Sequence, residues 1–116
     1  MSTPLFTLHP EGSRTRIQLE RDGLLEVKEI EELHTGLHQL LDENKSVILD
    51  LRQSDFMSSQ LLGIILTSAI KLQKTDRPKL IVCAAERVIE VLAITRLDGQ
   101  VQVIRSPDEL RDVQQE

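Results

Sequence analysis

Ser58 and Ser59 stand where a short apolar strand gives way to a helix: Phe56-Met57 precede them and Gln60-Leu61-Leu62-Gly63 follow. The first helical N–H groups lack intrahelical partners, and the aligned peptide dipoles leave partial positive charge at that end. Side-chain oxygens, phosphates and partner carboxylates are all favoured there. Most serines in such a position only cap the helix. The alternative is a docking surface with an electrostatic switch, because a phosphate at a helix start gains from the dipole while presenting about two negative charges to a bound partner.

The other residues with chemical potential are fewer. Asp50 closes the strand before this turn; it either forms part of a functional pole, faces solvent at the strand end or caps the following loop. Asp55 is nearer the helix start and can cap it or shape a partner site. His34 and His38 are four apart on a helical stretch, a spacing that can place two imidazoles on one metal. No glutamate follows His34 as the zinc-protease helix requires and no third ligand is evident, so we expect these histidines to flank an apolar stripe and expect no metal site. Cys83 lies in an apolar strand with no cationic activator and reads as a core residue. Glycine-rich phosphate loops, dinucleotide fingerprints and nucleophile elbows are absent, and no histidine is spaced to serve Ser59 as a base, so neither a catalytic residue nor a cofactor is expected.

Composition narrows the partners. With 14 Lys and Arg against 19 Asp and Glu, the formal net charge is −5, which disfavours attraction to phosphate backbones. Two Phe with no Trp or Tyr leave little to stack on bases, so nucleic acid is not an expected partner. The single cysteine, the lack of a leader-like apolar run over Met1 to Pro10 and the lack of an uninterrupted apolar span point to a cytoplasmic protein without membrane insertion. At 116 residues one domain, spanning 1–116, is expected.

The elements that must position the serines follow from periodicity. Leu5 to Leu8 and Arg14 to Leu19 read as strands joined by turn residues Pro10, Gly12 and Ser13. Val27, Ile30, Leu33, Leu37, Leu40 and Leu41 recur at helical spacing, with Gly36 lowering the propensity and the charged run Glu26, Lys28, Glu29, Glu31 and Glu32 forming the solvated face. Ser46 to Leu51 reads as a buried strand, about Ser59 to Lys74 as a helix stopped by Asp76-Arg77-Pro78, Lys79 to Ala84 as another strand, and Glu86 to Leu97 as a third helix. Val101 to Ile104 is a last strand, Ser106-Pro107-Asp108-Glu109 a helix start, and Arg111 to Glu116 is expected to fray. The second helix is apolar around most of its circumference, with a polar strip of Gln60, Gly63, Thr67, Lys71 and Lys74, so it must pack on the sheet and against a second element too. Ile94 lies off the main stripe of its helix and reads as a scattered surface hydrophobe.

Together the Val47-Ile48-Leu49-Asp50-Leu51 strand, the Phe56-Met57 approach, the serine pair, the Leu62 to Leu66 helix, the Leu80-Ile81-Val82-Cys83 strand and the Val88 to Leu97 helix resemble STAS domains, especially bacterial anti-sigma factor antagonists. The resemblance implies an α/β domain: a mixed sheet with parallel core strands and helices packed largely on one side. STAS antagonists typically carry Asp-Ser-Ser/Thr-Gly-Leu-Gly at the helix start, the second hydroxyl accepting phosphate from a cognate anti-sigma kinase. A gap-free match places Ser58 at the usual Asp, Ser59 at the first hydroxyl, Gln60 at the phosphoacceptor and Leu61 at the first Gly. Gln60 cannot accept phosphate, which leaves Ser59 and then Ser58 as candidate phosphorylation sites.

The resemblance implies a non-enzymatic module that binds an anti-sigma factor or serine kinase through the Ser58–Gly63 helix start and so influences sigma-factor-dependent transcription. The expected partner-binding residues are Asp55, Ser58, Ser59, Gln60, Gly63 and Thr67. The alternative is a STAS subunit docked constitutively on a transport ATPase or sensory scaffold, without phosphoregulation.

Overall fold

The computed structural model describes residues 4–22, 25–43 and 46–110. Strands β1 (Phe6–Glu11) and β2 (Arg14–Leu19) form an antiparallel hairpin. Helix α1 (Val27–Asp42), β3 (Ser46–Asp50), α2 (Ser59–Lys74), β4 (Ile81–Cys83), α3 (Glu86–Ile94), a single tight turn at Leu97–Gly99 and β5 (Gln102–Ile104) follow. The sheet order is β1-β2-β3-β4-β5, with β2 through β5 mutually parallel. The fold is thus α/β, with a mixed sheet and parallel core strands, as the resemblance implied.

Strand alternation decides which residues meet the helices. Val47, Leu49 and Leu51, with Ile17, Leu19, Leu80, Val82, Ala84 and Val101, point to one face and join Leu33, Leu37 and Leu41 of α1, Leu61, Ile65 and Leu72 of α2, and Val88 and Leu92 of α3 in the main core. The intervening residues Ile48, Ile81, Cys83 and Ile104 face the other way and are closed by Leu110, beyond the turn at Ser106. All three long helices therefore lie on one face. Burial of the Cys83 thiol, then the nearby Asp50 carboxylate, pushes its pKa up to about 11, so it is a packed hydrophobe rather than a thiolate.

Most element ends are chemically legible. Asp76 adopts φ 56°, its N–H donates to the Gln73 carbonyl, and the Arg77 N–H reaches back to Leu72, which terminates α2. The Ser106 side chain accepts from the Asp108 N–H and Glu109 reaches back to the Ser106 N–H, completing the expected capping pattern. Three expectations need correction. β1 runs through Pro10, which therefore does not belong to the turn; an edge strand tolerates a missing N–H, and Gly12, at φ 65°, makes the reversal. α3 stops at Ile94 instead of Leu97 because Arg96 takes a left-handed conformation (φ 62°), leaving Leu97 to bury itself from a separate turn. Val27, counted with the buried stripe of α1, is 75% exposed at the first helical position. The expectation for Arg111 to Glu116 lies outside the described residues.

The two helical glycines occupy opposite environments. A Cβ at Gly63 would meet nothing within 4 Å, whereas at Gly36 it would lie 2.7 Å from Cζ of Phe6, whose ring fills the space over α1. Gly63→Ala is expected to stabilise the fold by about 0.5–1 kcal/mol through helix propensity. Gly36→Ala gains the same propensity but displaces the ring, for a net loss of about 1 kcal/mol. Urea unfolding of both variants, with Gly36→Ala repeated in a Phe6→Leu background where it should turn stabilising, checks this pair.

Candidate functional site

Residues 51–58 carry the chain from the end of β3 to the start of α2, and hydrogen bonds at Leu51, Ser54 and Asp55 hold this passage. The Leu51 N–H donates to the Cys83 carbonyl at 2.7 Å, and the Ser54 N–H to the Leu51 carbonyl at 2.9 Å. Ser54 is fully buried and its hydroxyl donates to the Arg21 carbonyl at 2.9 Å, while the Asp55 N–H donates to Asp22 Oδ1 at 3.1 Å. The loop before α2 is thereby fastened to the loop before α1.

Ser58 is the N-cap of α2: its backbone is extended and its Oγ accepts the Leu61 N–H at 3.1 Å. Ser59 is the first helical residue, exposed, with its hydroxyl 3.4 Å from Gln60 Oε1. The two serines thus divide the roles: the half-buried Ser58 is engaged by the backbone, and Ser59 presents its hydroxyl outward. Asp55 takes no part in capping.

Gln60, Gly63 and Thr67 follow one another up the face of α2 that looks toward α1 and meet Ile30, Glu31 and His34 across an open groove of about 320 Å³. Ile64 forms its floor. The Thr67 hydroxyl donates to the Gly63 carbonyl at 2.7 Å, so it is already satisfied within its own helix, and the groove surface is mostly apolar. Outside the groove Leu66 and Ile70 are left partly exposed, as are Phe56 and the expected surface residue Ile94, 81% exposed. Of the six expected partner-binding residues, Gln60, Gly63 and Thr67 line one groove, Ser58 and Ser59 sit at its α2 end, and Asp55 lies in the preceding loop. The α1 wall, Ile30, Glu31 and His34, was not among the residues selected from sequence, because nothing in a one-dimensional pattern says which helix lies beside α2.

Deeper along the same seam, His34 and His38 bring their rings to 4.1 Å between centroids. The Ser68 hydroxyl gives its only hydrogen to the Ile64 carbonyl (2.8 Å), so the 3.1 Å bond to His38 runs from Nε2–H to the serine oxygen. Burial, then the neighbouring His34 and Lys71, lowers the His38 pKa, while Asp42, bridged to Lys71, opposes them. His38 thus serves the α1–α2 packing. Among the described residues no group of three or more histidines, cysteines or acids is placed to hold a metal ion.

Asp50 turns out to be neither at the surface nor in the groove. Only 1% exposed, it points to the opposite face of the sheet, where its carboxylate accepts Arg16 Nη1 at 2.9 Å and Arg52 Nη2 at 2.8 Å. It also accepts the Arg52 N–H at 3.1 Å, the loop-capping role anticipated as one reading. Arg16 is held in turn by Glu11 at 2.8 Å and by Gln18. Burial alone would raise the Asp50 pKa, but the hydrogen bonds and charge of Arg52, then Arg16, outweigh it and the value is lowered.

The comparisons with known proteins agree with this architecture. The STAS domain family model matches residues 13–110, and the chain belongs to that family. Among solved structures the fold is similar to an anti-sigma factor antagonist from Mycobacterium paratuberculosis, with a TM-score of 0.78, 16% identity and coverage of 100% of both chains. No curated protein matches the sequence.

Two outcomes test the site's local energetics. Ser58→Ala should cost about 1 kcal/mol by removing the cap, while Ser59→Ala should change stability by less than about 0.5 kcal/mol, both read from denaturant midpoints. Asp50 has a lowered folded pKa, so its contribution is complete above the unfolded carboxyl value of about 3.9 and is lost as pH falls through the lower folded value. Asp50→Asn should therefore cost about 2–3 kcal/mol at neutral pH and flatten the acid side of the stability profile; an unchanged acid slope in that variant would show that another carboxylate carries it.

Proposed function

We propose that the protein is a non-enzymatic regulatory module of anti-sigma factor antagonist type. It docks on an anti-sigma factor or serine kinase through the start of α2, Ser58 to Gly63, with Asp55 and Thr67 at the margins, and so frees a sigma factor and alters transcription. The observation that carries this reading is the juxtaposition of a capped, rigidly anchored helix start with an open groove beside Gln60, Gly63 and Thr67. Such a surface is preorganised: the loop leading to it is tied at Ser54 and Asp55, so little ordering entropy is lost on binding. STAS family membership supports the same class. A cytoplasmic location is part of the same proposal; among the described residues no helix is long and apolar enough to cross a membrane.

Phosphate control, where it operates, falls on Ser59. Its hydroxyl is exposed at the first helical position, whereas Ser58 is already committed to the Leu61 N–H. One observation favours the second reading, constitutive docking on a transport ATPase or sensory scaffold: Gln60 occupies the position of the family's phosphoacceptor and offers an amide in place of a hydroxyl.

The two readings part in a competition experiment. Purified protein is added to anti-sigma–sigma complexes from its own genome, with release of sigma followed by gel filtration. The antagonist reading expects displacement that Gln60→Ala weakens and Ser59→Asp abolishes. Intact mass spectrometry after incubation with the kinase and ATP should show one phosphate, missing from Ser59→Ala. Failure to displace sigma from any such complex removes the antagonist reading; displacement without phosphate incorporation removes only the switch.

A further inference from the structure

We infer that the groove between α1 and α2 receives a basic amphipathic helix of the partner protein, an inference that rests on the docking face proposed above and adds the chemistry of what docks there. Ile30 and Ile64 give the groove an apolar bed, and the missing side chain at Gly63 leaves the space above α2 open to another backbone. Val27, one turn before Ile30 and Glu31 on the same face of α1, extends the apolar strip outward with 75% of its surface exposed. The Thr67 hydroxyl is already spent within its own helix, so the groove asks its occupant for shape and apolar contact. A gap flanked by two helices fits the ridge of a third helix better than an extended strand.

The charge around the groove selects the flanks of that helix. Between residues 21 and 32, together with Asp55, lie six carboxylates, Asp22, Glu26, Glu29, Glu31, Glu32 and Asp55, against only Arg21 and Lys28. Four of the chain's five net negative charges are therefore gathered at the end of the fold where α1 and α2 begin. Arg21 bridges to Glu29, while Glu31 lines the groove itself. The other end of the two helices is close to balanced, with Lys71, Lys74, Arg77 and Lys79 against Asp42, Glu43 and Asp76, and Lys71 bridges to Asp42. A partner helix carrying Lys or Arg beside an aliphatic ridge is drawn to this end and registered on it. An acidic helix is repelled, and a second copy brings the same net charge of −5.

The test uses two synthetic helices with one leucine ridge, flanked by lysines in one and by glutamates in the other, titrated into the isotope-labelled protein and followed by amide chemical shifts. The lysine helix should shift Glu31, Gln60, Gly63 and Thr67 and lose about ten-fold in affinity between about 0.05 and about 0.5 M salt. The glutamate helix should leave them unmoved, and Glu31→Lys should weaken the lysine helix. Equal binding of both helices, salt independence, shifts confined to another face, or concentration-dependent shifts before any peptide is added would each overturn the inference. Gly63→Trp, which fills the open space, separates the two layers of the reading. If it blocks partner binding while flank charge has no influence, the docking face stands and the basic helix does not; if it blocks neither peptide nor sigma release, the docking face itself is wrong.

Discussion

The packing of α2 across β3 and β4 is the contact on which the rest of the structure depends. Leu61, Ile64, Ile65, Ala69 and Leu72 bury one side of the helix against Val47, Leu49, Leu80 and Val82, and because strand side chains alternate, that choice sends Ile48 and Asp50 to the opposite face. A one-residue slip of β3 would put Asp50 under the helices and an apolar residue among the arginines. The Arg16–Asp50–Arg52 arrangement therefore acts as a register lock: the carboxylate is tolerated in burial only where both guanidinium groups can reach it.

The same contact explains how the serine turn is positioned. With β3 fixed on one side and α2 on the other, the intervening loop has little freedom, and Ser54 removes most of what is left by anchoring it to the chain ahead of α1. The helix start is held by backbone and side-chain hydrogen bonds that owe nothing to phosphate. A helix start built in this way does not depend on the side chain at position 60, which is why glutamine there is compatible with the fold and with the groove beside it. Gln60 and Ser59 are both exposed, so variation at either changes what the surface offers without disturbing the core.

Periodicity and local capping chemistry made the elements legible. The Ser106-Pro107-Asp108-Glu109 start, the stop at Asp76 and the apolar strands read over Ser46 to Leu51 and Lys79 to Ala84, observed as Ser46–Asp50 and Ile81–Cys83, are written in residues that act on their immediate neighbours. What resisted reading was nonlocal or conformationally unusual. Arginine is a poor advertisement for a left-handed residue, so the end of α3 at Ile94 carried no signal at Arg96. The tight fit of Phe6 over Gly36 joins residues thirty apart, and the α1 wall of the groove exists only because two helices lie side by side. The burial of Ser54 and Ser68 was hidden for a similar reason: each hydroxyl is satisfied by a backbone carbonyl, the first in a distant loop and the second one turn back in its own helix. Of the candidate site, the helix start and its N-cap were visible in sequence; the groove beside it was not.

The two ends of the sheet differ from its centre in a way that bears on how this molecule meets others. β1 is an edge strand that includes Pro10, which offers no N–H to a newcomer, and β5 contributes only three residues. Neither border is a good template for adding strands, so sheet-to-sheet polymerisation is discouraged from both directions. Four exposed apolar side chains, Val27, Leu66, Ile70 and Ile94, lie on helices, against Leu8 on the edge strand, so the fold offers a helical face rather than a sheet border to whatever it meets.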